Sequence, residues 1–242
     1  MLNVNILTMY SLIYLLFLVP VRSFIQVRTT PFSTQLPATT SIDHYSEEIS
    51  KCLSVLNSAA NTKTTDPELV CSSLESLEKL MRTESRTNDF HAAELLANLS
   101  GSWRLIFTTG TKETEAKLGA KVNYFPIKAV QSFDSTTSKI SNSIMIGDLA
   151  LIKFFGEFKF LPKPRKIEFD FDQIRLLDLL TIDLPKGKAA ELGSASGLGS
   201  KNNVNLVKKK SKPFFNWISA DKTIATARGG GGGLALWKRI DA

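Results

Sequence analysis

The chain has 242 residues, of which 43% are apolar and 22% charged, and its formal net charge is +7. This composition is ordinary for a soluble globular protein with one domain of moderate size and extensions. The two cysteines and two histidines do not fall at metal-ligand spacing, which argues against a disulfide scaffold or a zinc site. Part of the basic excess is local, within residues 201–212, so nucleic acid is not expected as a partner. We expect no metal and no cofactor.

The first residues have the pattern of a signal peptide. Residues 6–19 are nearly all apolar and are followed by Pro20. This run is shorter than the roughly 20 apolar residues that a membrane span needs. Val21 and Ser23 are small residues in the positions that favour cleavage after residue 23. We therefore assign residues 1–23 to a signal peptide, and an uncleaved N-terminal anchor is the alternative.

Residues 24–41 have a different composition. They contain no acidic residue, one arginine (Arg28) and many serines and threonines, which is typical of a transit peptide. A signal peptide followed by Phe24 and such a segment resembles the bipartite presequence of algae with complex plastids. The resemblance implies a plastid protein whose mature part begins near residue 42. Ordinary secretion with a disordered N-terminal linker is the alternative.

The spacing of apolar residues predicts a helical segment over residues 42–99. Ile49, Leu53 and Leu56 recur at helical spacing, and leucines do so again between residues 69 and 81. Asp66 followed by Pro67 is a helix-start signal, and a third short helix is predicted over residues 89–99. Cys52 and Cys71 lie among the apolar positions, which favours buried free thiols.

From Gly101 onward the pattern is that of strands separated by turns. Gly101 and Trp103 open a strand that resembles the first strand of lipocalin-type barrels, where the indole plugs the closed end. The alternation predicts strands over residues 101–109, 122–133, 139–146, 150–161, 166–174, 223–228 and 234–240, with an ambiguous segment at 176–184. We predict a mainly β, α+β protein: a lipocalin-like antiparallel β-barrel over residues 100–242, preceded by N-terminal helices.

Two low-complexity stretches interrupt the predicted barrel. Residues 185–212 are rich in glycine, serine and lysine and predict a flexible surface insert. Its lysines are candidates for contact with an anionic membrane, and a solvated loop without a partner is the alternative; they are Lys208, Lys209, Lys210 and Lys212. The five glycines at residues 229–233 lead into a strand and not a helix, so they predict a hairpin turn rather than a phosphate-binding loop.

Three blocks of sequence are similar to the plastid lipid-associated proteins, or plastid fibrillins. They are Leu-Ser-Gly-Ser-Trp-Arg-Leu-Ile-Phe-Thr-Thr at residues 99–109, Ile-Glu-Phe-Asp-Phe-Asp-Gln-Ile-Arg at 167–175, and the closing pattern at 216–239 with its Arg228-Gly229 step. The resemblance covers about residues 45–240. It departs from the family at residues 217–219, at the alanines of the strand before the last, and in the long insert.

The resemblance implies a protein that is not an enzyme and that binds or organises apolar isoprenoids, such as carotenoids and prenylquinones, at thylakoids or plastoglobules. The expected partners are an apolar lipid or pigment and a peripheral membrane or lipid-droplet surface. A scaffold for an enzyme of quinone or carotenoid synthesis and an enzyme on a lipocalin fold are the alternatives. For the latter, Glu168, Asp170 and Asp172 alternate with phenylalanines and are expected on the outer face of the barrel.

The inward faces of the predicted strands supply the candidate ligand-binding residues. They are Trp103, Leu105, Phe107, Phe154, Phe158, Phe160, Ile167, Phe169 and Phe171. Aromatics that simply fill the barrel are the alternative. Gly101 and Arg228 are assigned structural roles. Since an arginine of the last strand stacks on the plug tryptophan in lipocalin-type barrels, Arg239 is the expected cation–π partner of Trp103. We assign no catalytic residue.

Overall fold

The computed structural model describes residues 41–84, 90–110, 123–185, 187–195 and 201–240. The predicted signal peptide and the transit-like segment as far as residue 40 lie outside these ranges. The described residues form five helices and nine strands: α1 Ser41–Thr62, α2 Pro67–Glu84, α3 Phe90–Leu99, β1 Gly101–Thr108, β2 Lys128–Asp134, β3 Lys139–Ile146, β4 Leu149–Leu161, β5 Lys166–Leu176, β6 Leu180–Asp183, α4 Lys188–Ala195, α5 Lys201–Lys208, β7 Phe214–Ala220, β8 Ile224–Gly229 and β9 Leu234–Arg239.

Helix α2 begins at the predicted start signal. The Asp66 carboxylate accepts hydrogen bonds from the backbone N–H groups of Glu68 at 2.8 Å and Leu69 at 3.0 Å, and Pro67 stands in the first turn, where its missing donor costs nothing. The apolar faces of α1 and α2 then pack on the outside of β7, β8 and β9. This buried cluster includes Leu56, Leu74, Leu77, Ile218, Ile224 and Leu236.

The sheet closes on itself as an antiparallel barrel. Its strand order is β4-β3-β2-β1-β9-β8-β7-β5, and β4 pairs with β5 from Leu161↔Lys166 to Ile152↔Leu176, which completes the ring. Strand β6 lies beside the ring and pairs with β5. Eight strands in a closed ring with helices before it confirm the predicted lipocalin-like, mainly β fold.

The register defines two ends of the barrel. At the closed end β1 begins at Gly101, β9 ends at Arg239, and α3 packs against the strands. At the open end β1 finishes, and the β3–β4 and β8–β9 hairpins turn. Gly101 has a φ of +124°, a conformation that favours glycine, at the junction between α3 and β1.

The chain between β6 and β8 differs from the prediction. The described part of the insert at 185–212 is not a flexible loop; it contains the helices α4 and α5. Glycine and serine gave the stretch its loop-like composition, but Ala189 and Leu192 pack against the barrel and stabilise a helix there. Strand β7 is missing from the sequence prediction. A bulge between Trp217 and Ser219 breaks its alternation and leaves both Trp217 and Ile218 buried.

The ion pair between α2 and β8 joins the helices to the barrel. The Arg228 guanidinium donates from Nε and Nη2 to the two carboxylate oxygens of Glu78, at 2.7 Å and 2.6 Å. Arg228 also donates to the carbonyl of Gly232 in the β8–β9 turn. The hydrogen bonds from Arg228 hold the pKa of Glu78 below its usual value. The bidentate geometry ties helix α2 to strand β8.

We predict that β4 and β5 tolerate no side chain at Gly156. A Cβ there would lie 1.8 Å from the backbone oxygen of Asp170, so Gly156→Ala must push the two strands apart. We expect a loss of about 2–3 kcal/mol in the free energy of unfolding, measured with urea. Gly229→Ala is the matched control, because its Cβ would have neighbours no closer than 3.7 Å. Equal losses in the two variants would contradict the tight strand contact.

We predict that Glu78→Gln lowers the free energy of unfolding by about 1 kcal/mol at pH 7, a value discounted for the partial exposure of Arg228. Because the folded-state pKa of Glu78 is depressed, its stabilising effect is present above the unfolded-state pKa and is lost as the pH falls through the folded-state pKa. The difference between wild type and variant should therefore shrink in acid. Glu75→Gln, at an exposed position of the same helix, is the control. A difference that does not depend on pH would show that the ion pair is not its cause.

Candidate functional site

Trp103 plugs the closed end of the barrel. Its side chain is fully buried, and its indole N–H donates to the carbonyl of Leu99, the last residue of α3, at 2.8 Å. The Arg239 guanidinium lies over the ring, 4.2 Å from its centroid, which is the cation–π contact expected from the sequence. Arg239 also donates to the carbonyl of Ser100 at 2.9 Å. These contacts fasten α3, β1 and β9 together as a floor.

Aromatic rings fill the half of the barrel next to this floor. Phe133 makes edge contacts with Phe158, at 5.8 Å between ring centroids, and with Trp217, at 5.5 Å. Trp217 in turn lies 5.1 Å from Trp237. Such offset and edge contacts are the preferred arrangement of packed aromatic rings. This half of the barrel is therefore a packed core.

The half of the barrel toward the open end contains a cavity of about 350 Å³. This volume is near the lower end of the range for small-molecule pockets, about 300–1,000 Å³, so the cavity has room for one small ligand. Its described lining is mostly apolar and comes from the barrel strands, the insert helices and the β8–β9 turn. The larger apolar side chains among it include Leu105, Ile144, Ile152, Phe154, Phe169, Phe171, Phe215 and Trp237.

Helices α4 and α5 form a lid over one side of the cavity. They lie beside the half of β5 that is nearer the open end, which is called its upper half below. Ala189 on α4 is 5% exposed and packs in a cluster with Phe154 and Ile174. Ala190 and Gly193 also line the cavity from α4. The residues that α4 turns toward the cavity are therefore small, and they leave its volume free.

The glycine run forms the predicted hairpin turn and borders the cavity. The N–H of Gly229 donates to the carbonyl of Gly233 at 2.9 Å, and Gly232 has a φ of +91°. A Cβ at Gly233 would lie 2.2 Å from the carbonyl oxygen of Gly110, so the turn passes directly beside the end of β1. With no side chains of its own, the turn leaves the cavity mouth open.

Two amides stand out in this apolar lining. Gln131 on β2 and Asn142 on β3 are directly opposite each other in the sheet and both line the cavity. The Nε2 of Gln131 and the Oδ1 of Asn142 are buried without a hydrogen-bond partner. A buried polar group left unpaired costs roughly 1–3 kcal/mol. Among the described lining residues Asp170 is the one charged residue.

Apolar side chains project from two neighbouring hairpins at the open end. Leu149 stands at the β3–β4 turn, and Leu179, which is 87% exposed, stands at the β5–β6 turn. The turns are adjacent because the N–H of Leu177 donates to the carbonyl of Leu151 in β4 at 2.9 Å. The four predicted membrane-contact lysines are exposed at the last residue of α5 and directly after it; they are Lys208, Lys209, Lys210 and Lys212.

A family comparison identifies the chain. The PAP_fibrillin family model matches residues 47–237, from α1 into β9. The chain belongs to the PAP_fibrillin family. The resemblance found in the sequence is thereby confirmed, and membership implies a lipid-associated protein with plastid association, from a family that is generally not enzymatic.

A search of curated proteins gives no match. Among solved structures the chain is similar to a protein titled "REP1-NXSQ fatty acid transporter", at 9% sequence identity and a TM-score of 0.26. That alignment covers 60% of this chain and 98% of the other.

The predicted ligand-binding residues of this PAP_fibrillin protein divide into three groups. Four of them line the cavity: Leu105, Phe154, Phe169 and Phe171. Four belong to the packed cluster around the floor and aromatic layer: Trp103, Phe158, Phe160 and Ile167. The ninth, Phe107, is fully buried on the other side of the sheet, among residues of α1 and α2.

Phe107 leaves the inward face because of a bulge. The pairing of β1 with β9 shifts between Leu105 and Phe107, which places one extra residue, Ile106, in β1. Strict alternation from Trp103 predicts Phe107 inside the barrel, and the extra residue moves its side chain to the helix-covered face. Its ring meets Tyr124 edge-on at 5.3 Å.

Sequence reasoning missed the lid alanines and the amide pair. Gln131 alternates with Ala129 and Phe133, so its inward direction is readable from the sequence of β2, but a glutamine between apolar residues gives no sign of being unpaired. Ala189 and Ala190 sit in a segment whose composition suggests a loop. No sequence signal links that segment to the cavity.

The described ranges contain neither a membrane-spanning helix nor a metal-binding cluster of side chains. No described helix combines the length and the apolar character needed to cross a membrane. No cluster of histidine, cysteine and acidic side chains suited to a metal ion occurs in the same part of the chain. Cys52, which is half-buried, and Cys71, which is buried, are not joined in a disulfide. Asp172 is exposed on β5, and Asp170, although it borders the cavity, is paired with the exposed Glu157 of β4 and so points to the outer face.

Proposed function

We propose that this protein binds one apolar isoprenoid, of the carotenoid or prenylquinone class, in the barrel cavity and holds it at thylakoid or plastoglobule surfaces. The observation that carries the proposal is the cavity itself: an apolar space of about 350 Å³ between an aromatic floor and a lid of small residues. A barrel that needed only a packed core would have larger side chains in the lid and in the glycine turn.

The apolar lining provides enough free energy for binding without a catalytic group. Burial of about 300 Å² of prenyl surface contributes roughly 7 kcal/mol before the cost of ordering the ligand. That corresponds to binding in the micromolar range at best. A C40 carotenoid is larger than the cavity volume, so part of such a ligand would remain in the mouth or the adjoining lipid.

The open end is the proposed membrane-contact surface. Its exposed leucines can enter the interfacial region of a lipid surface, while each lysine near anionic headgroups contributes roughly 1 kcal/mol. Leu149 and Leu179 project at this end, and the lysines of residues 208–212 follow the lid. A ligand could then pass between lipid and cavity without crossing water. We further propose that the bipartite presequence, residues 1–23 and 24–41, directs the protein to the plastid.

We predict that Ala189→Phe weakens ligand binding at least tenfold by filling the cavity from the lid. The measurement is mass spectrometry of organic extracts from the protein purified out of its native membranes, followed by rebinding of the identified lipid. Wild type should carry a carotenoid or prenylquinone in stoichiometric amount. Ala93→Phe, at an exposed position of α3, is the matched control and should bind as wild type does. A wild-type extract without lipid, repeated after incubation with candidate lipids, would refute the proposed function.

We predict that the double variant Leu149→Asp, Leu179→Asp binds anionic vesicles at least tenfold more weakly than wild type. The reason is that two exposed apolar contacts are replaced by charges that the headgroups repel. Co-sedimentation with phosphatidylcholine vesicles that contain phosphatidylglycerol measures the effect. Ile240→Asp is the control, since Ile240 is 43% exposed at the closed end. Should this control lose binding as strongly as the double variant, the open end would not be the contact surface.

A further inference from the structure

The amide pair in the cavity has no role in a purely apolar site. In the register, Gln131 lies between Trp103 on β1 and Asn142 on β3, and Asn142 lies between Gln131 and Phe154 on β4. Residues directly opposite one another on neighbouring strands point to the same face of a sheet. Since Trp103 and Phe154 are buried inside the barrel, both amides point inward as well.

The burial of these amides requires a partner. Gln131 is 5% exposed, and its Nε2 and the Asn142 Oδ1 make no hydrogen bond in the described structure. Native proteins pair nearly all of their buried polar groups, with a ligand among the possible partners. Each amide carries both an N–H donor and a carbonyl acceptor. The pair can therefore satisfy a ligand group that accepts a hydrogen bond, donates one, or does both.

The charge of the lining decides which kind of head group fits. The described lining residues include no lysine, arginine or histidine, and the one charged residue is Asp170. A carboxylate or phosphate placed beside the amides would be buried without a counter-ion. An uncharged carbonyl or hydroxyl group would meet the two amides without this penalty.

The position of the pair sets the direction of the ligand. Along their strands, Gln131 and Asn142 are the first inward residues beyond Phe133 and Ile140, which belong to the packed half of the barrel. The next inward residues toward the open end, Ala129, Ile144 and Ile152, are apolar and line the cavity. A head group at the amides would thus lie deep in the cavity, and its tail would run toward the lid.

We propose that Gln131 and Asn142 form the head-group subsite for an uncharged, oxygen-bearing amphiphile, a quinone, ketone or alcohol with one apolar tail, bound head first. The subsite deepens the proposed function and rests on it. It selects oxygenated lipids over pure hydrocarbons of the same length. It also selects neutral lipids over fatty-acid anions.

The test compares ligands that differ in the head group alone. Hexadecan-1-ol, hexadecan-2-one, hexadecanoate at pH 8 and hexadecane are titrated into the delipidated full-length protein, with binding followed by tryptophan fluorescence. The alcohol and the ketone should bind about tenfold more tightly than hexadecane, and hexadecanoate should bind more weakly than the alcohol. Tighter binding of hexadecanoate than of the alcohol would overturn the neutral-head assignment.

The variants Gln131→Met and Asn142→Leu, alone and combined, test the two residues. They should abolish the preference for alcohol and ketone while affinity for hexadecane stays equal or rises. In the ligand-free protein Gln131→Met should also raise the melting temperature, because an unpaired buried amide is removed. Gln173→Met is the matched control, since Gln173 is exposed on β5 and donates to Asp183.

The outcomes separate this proposal from the proposed function. Binding of all four probes with equal affinity, or a head-group preference that survives in the double variant, refutes the amide subsite and leaves lipid binding intact. Failure of every probe, including hexadecane, refutes lipid binding in the cavity and the subsite with it.

Discussion

The incomplete pairing of β5 is the constraint on which the cavity depends. The lower part of β5 pairs with β7 from Lys166↔Asn216 to Glu168↔Phe214, and there β7 begins. Above this level β5 pairs with the short strand β6 instead. The barrel wall would therefore be open between the upper half of β5 and β8. An open sheet edge beside an apolar interior must be covered, and the insert supplies the cover.

This makes the insert part of the barrel wall. Helix α4 packs Ala189 and Leu192 against the β4–β5 region, and the N–H of Phe169 on β5 donates to the carbonyl of Pro213 just after the insert. A helix and not a strand closes the gap, and it presents the small residues Ala189, Ala190 and Gly193 to the cavity. The cavity lies against this helical section, while the fully paired lower half is packed with rings.

The sequence predicts the parts of the fold that local rules determine. The Asp66 cap, the hairpin at the glycine run and the Trp103–Arg239 contact each depend on a few residues near one another in sequence or on a familiar barrel opening. The prediction from sequence fails where the local structure depends on contacts with residues that are distant in the chain. The bulge at Ile106 turns Phe107 outward only because β9 is its neighbour. The helical state of residues 188–195 depends on burial against β5. The amino-acid composition of the segment gives no information about that burial.

The candidate site follows the same division. Alternation identifies an inward face, and four of the residues on that face line the cavity: Leu105, Phe154, Phe169 and Phe171. It does not tell a ring that fills space from a ring that borders a void, since Phe158 and Phe169 have the same local pattern on neighbouring strands. Whether a ring fills space or borders the cavity depends on which residues face it across the barrel. Phe158 faces the ring of Phe133, whereas the cavity that Phe169 borders is also lined by Ala189 and by the glycine turn.

The proposed membrane contact and the proposed head-group subsite place different demands on the distribution of charge. The net charge of +7 reflects basic residues that include exposed lysines beside the lid, while lysine and arginine are absent from the described lining of the cavity. Positive charge outside attracts an anionic lipid surface over about a Debye length, roughly 8–10 Å. The same charge inside the cavity would bind the anionic head groups of that surface. Under the proposed function, a cavity without basic residues would let the protein dock on charged lipids and still take up an uncharged one.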